Sequence, residues 1–481
     1  MRHTAFVTVA ALLLTAAGAS AQERDTRSPD REACNSGKPD KAITACTHLI
    51  QDKALPAADR AISLRNRGFA LQTRGDLDKA IADYDAALGL GEAAAGSSTV
   101  FAKTYINRGI AYAAKGDDIR ALADYSSALA VDPTVGVAYL NRAAIALKTG
   151  DNIRALADLT QAARFSPKEP AIFVSRGALY GNSGDQDRAI ADFSVAIALN
   201  PTDATAWRDR GMAFHKKGDE AHAEADAAQA LRLDPNNSGA HHDRGLSLRA
   251  QGKTDEAIAE FGRAIALNPT AAETIKARGD AYLAKGERDL AIADYSQAIG
   301  LEPNFRDAYN NRGVAYLAMA DWDHAVADFG KAIGLDSQLT AAYFNRGQAL
   351  EAKGERTLAF ADFDTVIRLR PDGGAAYRHR GFLHQTKGDR DAAIADYGRA
   401  IELDPKDEEA WRGRGIANFD SHKLDSAIAD LTQAVALNGS DALAFHVRSQ
   451  AYGRKRDILH AEEDDAIAIR LDPRLAQRAS R

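Results

Sequence analysis

The chain has 481 residues, of which 45% are hydrophobic and only 7% aromatic, with 37 Gly against 13 Pro, and its 61 Lys plus Arg against 67 Asp plus Glu give a net charge of -6. Interspersed charges of both signs argue against a nucleic-acid binder, which needs a basic stripe to displace counterions from phosphates, and against a polybasic membrane anchor. Two cysteines can supply neither a four-cysteine zinc site nor a disulfide-dense secreted scaffold.

At the N-terminus, Arg2 and His3 precede an apolar run from Ala5 to Ala17 and then Ala19-Ser20-Ala21. This is the pattern of a secretory signal peptide over residues 1–21, with cleavage after Ala21. The run is shorter than the ~20 residues of a bilayer span, and no later segment resembles one. The expectation is therefore a soluble mature chain from Gln22, periplasmic or secreted, without membrane insertion. Loss of Arg2 takes its net charge from -6 to -7. Cys34 and Cys46 then lie in an oxidising compartment.

The rest of the chain is set out by one ruler. An arginine, usually followed by glycine, stands at Arg67, at Arg108, and from there every 34 residues to Arg448. The first interval is 41, and its seven extra residues fall around Gly91 to Thr99, read as a flexible insertion near 91–99. Unit 102–135 shows the pattern as Tyr105, Arg108, Gly109, Tyr112, Ala121, Tyr125 and Pro133. It resembles the tetratricopeptide repeat (TPR) family, W-x2-L-G-x2-Y, A-x3-F and then P at a period of 34, in an Asn-Arg-Gly variant like that of exported bacterial TPR proteins. The resemblance implies an all-α fold, a superhelical solenoid of antiparallel helix pairs, with twelve repeats over 61–475 and a tail at 476–481.

Within a repeat, positions 4, 7, 8 and 11 share one face of the first helix by the i, i+3, i+4, i+7 rule. Gly at position 8 lets the two helices approach, and a turn glycine such as Gly116 or Gly286 separates them. The second helix carries an Ala-Ile-Ala-Asp-Tyr string, as in Ala291 to Tyr295, and Asp-Pro or Asn-Pro ends it. The usual Leu at position 7 is Arg in all twelve repeats, and an acid follows sixteen residues later each time, from Asp83 to Asp464. Because a half-buried guanidinium must be paired, an internal Arg–carboxylate ladder is the expected reading, with a ligand-binding arginine row as its rival. The partner of Arg278 is either Asp294 of its own repeat or Glu260 of the preceding one.

Residues 22–60 read as an N-terminal partial repeat and cap, with a hairpin over 30–51. Cys34 and Cys46 fall at facing positions of that hairpin and are expected to form a disulfide. At the other end, Ala461-Glu462-Glu463-Asp464-Asp465 puts charge where Ile and Tyr normally pack, as a C-terminal cap requires.

No phosphate loop, H-E-x-x-H, G-x-S-x-G or EF-hand string occurs. His241-His242 and the pair His379 and His384 are poor metal candidates, because His241 occupies an aromatic slot and five residues is a poor ligand spacing. The expectation is no catalytic residue, no metal and no cofactor, and a scaffold or adaptor that binds protein or peptide segments. A non-catalytic subunit of an envelope enzyme or secretion complex is the alternative. By the family resemblance, positions 2, 5, 6, 9, 12 and 13 of the first helix face a ligand on the concave side. A carboxylate clamp is not expected, because Lys276 is followed by Asp280. The middle of that face mixes charges, with Arg208, His215, Lys216, Arg249, Glu273, Lys276 and Asp280. In repeats 102–203 it carries Ile106, Ile110, Val137, Leu140, Leu147 and Val174, expected to form an apolar groove. Asn107, Asn141 and Ser175 beside them are expected to bind a peptide backbone. The rival reading covers these aliphatic side chains with adjacent helices, with the Gly91 to Thr99 insertion folded inward, or by self-association.

Overall fold

The computed structural model describes residues 29–92 and 97–477. The expected signal peptide, its cleavage site and residues 478–481 lie outside them. Among the described residues there are 26 α-helices, one short 3-10 segment at Pro473–Gln477, and no strand. None of these helices is long and apolar enough to cross a membrane. The chain divides into two compact units between Lys253 and Thr254, within the turn of the sixth repeat.

In each unit, consecutive helices pack on one another, and the first helix of a pair also touches the first helix of the next. Ala204–Lys216 lies on Ser238–Ala250 in the first unit, and Arg306–Ala318 on Thr340–Ala352 in the second. Turns of two or three residues within a pair, such as that between Ala114 and Asp118, make the helices antiparallel. The fold of each unit is all-α, a succession of antiparallel helix pairs, as expected.

The turns follow from local chemistry. Gly116, Gly150, Gly184 and their equivalents adopt left-handed φ near +80° or +90°, which ends the first helix with little steric cost. Ala320, His422 and Arg456 hold the same place without glycine, at φ 59°, 59° and 64°. The next acid caps the second helix: Asp117, Asp151 and Asp185 accept from the backbone N–H of Arg120, Arg154 and Arg188.

Position 8 is small because of a ring rather than a helix backbone. A Cβ on Gly109 would lie 2.7 Å from Cε1 of Tyr125, and one on Gly279 2.9 Å from Tyr295. In the fifth repeat Ala227 replaces that aromatic. There the nearest neighbour of a Cβ on Gly211 would instead be the carbonyl oxygen of Ala223, at 3.1 Å.

The N-terminal hairpin consists of helices Pro29–Cys34 and Pro39–Gln51, joined by a Cys34–Cys46 disulfide, with Cys46 fully buried. Asn66 donates to Asn35 at 2.5 Å, and Arg31 pairs with Asp59 at 3.1 Å, tying the hairpin to the first full repeat. The segment expected as a loop near 91–99 contributes its end to a helix, since Ser98–Ala114 starts four residues ahead of the repeat boundary. At the far end Leu475 packs with Phe445 and Ala468, while Glu462 and Glu463 stay in solvent.

Candidate functional site on the first-helix face

The arginine of each repeat is an internal stitch. In eleven repeats its Nε and Nη2 both donate to the carboxylate sixteen residues later, at 2.7 to 3.0 Å. In the sixth repeat Arg244 and the acid sixteen residues later, Glu260, belong to different units. Arg278 therefore pairs with Asp294 of its own repeat, and this hydrogen bond raises the guanidinium pKa. The remaining nitrogen, Nη1, often reaches the preceding repeat: Arg142 donates to Ser126, Arg210 to Ser194, Arg312 to Ser296, Arg380 to Asp364 and Arg448 to Thr432, at 2.7 to 3.3 Å. All three donor nitrogens of such a fork are engaged within the protein, which favours the ladder over an arginine row for a ligand.

The open apolar groove expected in repeats 102–203 is not found. Ile106 is 0% exposed, Leu140 1%, Ile110 3% and Val174 8%, and only Val137 and Leu147 are half-exposed. Neighbouring repeats cover them: Ile106 and Ile110 share a core with Ala138 and Ile145 of the next repeat, and Leu140 and Val174 share another with Ala206. Asn107, Asn141 and Ser175 are buried in the same packing, and Asn107 Oδ1, Asn141 Nδ2 and Ser175 Oγ have no hydrogen-bond partner among the described residues. The cause is the close stacking of first helices, which turns position 5 into core.

Charge on this face is mostly paired. In the first unit Arg208 donates to Asp209 at 2.7 Å and lies 3.7 Å from Asp243. Burial pushes Asp243 up to about 7 against the pull of Arg208, with Asp209 adding to the rise. His215 contacts Glu220 at 2.8 Å, and His241 is buried with Nε2 3.2 Å from the carbonyl oxygen of Pro235. In the second unit Lys276 pairs with Asp280 at 2.8 Å, and Asp280 also accepts from Tyr295 and Asn311. That occupies the lysine a carboxylate clamp would use. The described residues hold no group of three or more His, Cys, Asp or Glu fit for a metal ion.

One cavity opens on the same face of the second unit, between helices Thr340–Ala352 and Gly374–Lys387. Its volume is about 350 Å³, within the range of small-molecule sites, and Gln348, Glu351, Ala352, Arg356, His379 and Phe382 line it. His379 Nδ1 is 2.9 Å from Glu351 and its Nε2 is 3.5 Å from Gln348 Nε2. Its ring stacks on Phe363 at 4.9 Å and meets Phe344 edge-on at 5.5 Å. Phe382 is 44% exposed.

Family models described as tetratricopeptide repeat match residues 175–238 and 238–271, the second coinciding with the sixth repeat, and one described as TPR repeat matches 279–319. The chain is a tetratricopeptide repeat protein. A model described as ETO1 C-terminal domain matches residues 305–478 of this TPR protein. No curated protein matches the sequence. Solved structures similar to it include a tetratricopeptide repeat protein from Parabacteroides merdae, with 20% identity, 52% of this chain and 98% of that one covered, and a TM-score of 0.39. YrrB, described as a TPR protein with an unusual peptide-binding site, has 23% identity, coverage of 41% and 97%, and a TM-score of 0.33. The APC/C hetero-tetramer Cut9–Hcn1 has 16% identity, coverage of 90% and 96%, and a TM-score of 0.43. The cavity residues of the TPR protein were within reach of the sequence. Gln348 and Phe382 stand at position 9 and Glu351 at position 12, both ligand-facing, but a search for runs of aliphatic residues passes over them.

Proposed function

We propose that this TPR protein is a non-catalytic scaffold that holds protein segments against the first-helix, concave face of its array, in an oxidising compartment outside the cytoplasm. TPR folds mediate protein–protein interactions, and the observation that carries the reading here is the cavity on that face, where an exposed aromatic ring, an amide and a guanidinium converge. The buried disulfide supports the compartment, because thiols inside the cytoplasm are kept reduced.

Site-specific photo-crosslinking in the native envelope tests the proposal. The crosslinker is placed at the exposed first-helix positions Lys148, Lys216 and Phe382 and at the exposed second-helix positions Leu290 and Leu358. Capture of one partner protein concentrated at the first-helix positions is expected. Equal capture from both sets would remove the proposed face.

A further inference from the structure

We infer that the cavity between Thr340–Ala352 and Gly374–Lys387 seats an acidic-aromatic stretch of a partner polypeptide, with a large apolar side chain against Phe382 and an adjacent carboxylate on Arg356. This rests on the scaffold reading and adds to it the chemistry of one seat.

The cavity wall is fixed in advance. The His379 ring is held between Phe363 and Phe344, and with Glu351 accepting from Nδ1–H its Nε2 becomes the acceptor for Gln348. Gln348 keeps a second N–H and its carbonyl oxygen, the donor and acceptor that one peptide unit can meet. Such a wall costs a ligand little ordering of the protein on binding.

Phe382 supplies the apolar contact. Other large rings of the second unit, Phe261, Phe305, Phe329 and Phe363, are fully buried, whereas Phe382 leaves nearly half its surface open beside the cavity. A ring in that setting favours a second ring, offset or edge-on.

Charge complementarity selects the neighbour of that side chain. Glu351 accepts from His379 and keeps its charge, Arg378 is paired with Asp407 and Glu409, and Lys353 with Asp323 and Glu355. Arg356 lines the cavity, is exposed, and has no ion-pair partner among the described residues. Arg356 is therefore the cation of the cavity left without a counter-charge, and a guanidinium fork suits a carboxylate.

The test uses the full chain and three capped peptides, acetyl-Glu-Phe-Glu-amide, acetyl-Lys-Phe-Lys-amide and acetyl-Glu-Ala-Glu-amide, in ligand-observed saturation-transfer NMR. The first peptide should respond several-fold more strongly than the other two. Phe382→Ala should abolish that response, and Arg356→Glu should invert the preference toward the lysine peptide. Arg356 is exposed on a helix, so the charge reversal carries the test even where the Phe382 variant folds poorly. Equal responses to all three peptides, or a response unmoved by Arg356→Glu, overturns the inference. Partner crosslinks at Lys148 and Lys216 with no discrimination among the peptides would remove this seat and leave the scaffold standing.

Discussion

A guanidinium that gives two nitrogens to its own repeat and a third to the one before it couples two energies, pair formation and stacking. Arg278→Ala should cost about 2 to 3 kcal/mol, below the ~3 to 5 of a fully buried broken pair because the arginine keeps some water. Arg278→Met should cost less, since it restores volume beside the orphaned Asp294. A double-mutant cycle on urea unfolding should show coupling with Asp294, and no coupling would remove the pairing from the energy balance. Gly330 tests the third nitrogen. A Cβ there would lie 3.7 Å from Nη1 of Arg346, with room for a hydroxyl, so Gly330→Ser should stabilise by about 0.5 to 1 kcal/mol through an added acceptor and better helix propensity. Asp243 supplies a pH signature. Its pKa rises from 3.8 to about 7 on folding, so the folded state holds a proton that the unfolded state has lost between those values. Its contribution to stability is present below pH 4 and disappears as pH rises to 7. Asp243→Asn keeps the uncharged form throughout, and its stability relative to the native protein should grow from pH 4 to pH 7; a difference flat over that window would contradict the assignment.

At the scale of the element, the second helix of the fifth repeat stands apart. Glu224 and Ala227 replace the large Ile and aromatic of its neighbours, and Glu224 instead accepts from Gln251 at 3.0 Å and pairs with Lys253 at 3.2 Å. Surface ion pairs return only ~0 to 1 kcal/mol, less than two large apolar groups contribute. Hydrogen exchange in Glu220–Leu233 should therefore be at least several-fold faster than in Arg288–Leu301, and equal protection would refute the weakened interface. The helices, their pairing and the arginine ladder were legible in the sequence because each is specified inside a 34-residue unit and repeated. Arg278's choice of Asp294, and the burial of Ile106, Leu140 and Val174, were not. The first depends on how the two helices of one repeat face each other, and the second on how tightly successive first helices stack, a distance that no single repeat encodes. Phe382 escapes the same burial beside Glu351 and Ala352, where a cavity remains between the two first helices.

Over the whole molecule, stability in an array of nearest neighbours is a sum of local terms, and the ends are its weakest places. The disulfide closes a loop of about a dozen residues and should contribute ~2 to 3 kcal/mol, mostly to the N-terminal hairpin. Thiol titration of the unreduced, unfolded protein should find no reactive thiol, and two would refute the bond. After reduction, limited proteolysis should cut within Pro29–Gln51 before any later helix. The arginine stitch has a different consequence, for how such a chain can change its length. Its own acid lies sixteen residues ahead, and where the third nitrogen finds an acceptor in the regular part of the array, that acceptor lies sixteen residues behind. The spacing of the joint is therefore the same wherever along the regular repeats it is made. Duplication or excision of 34 residues, cut at matching points in any two such repeats, keeps that spacing, whereas the seven-residue insertion before Arg108 moves its third contact to Asp85, 23 residues behind. Unequal recombination between repeats can thus lengthen or shorten the array in whole steps, and each step leaves the arginine spacing intact.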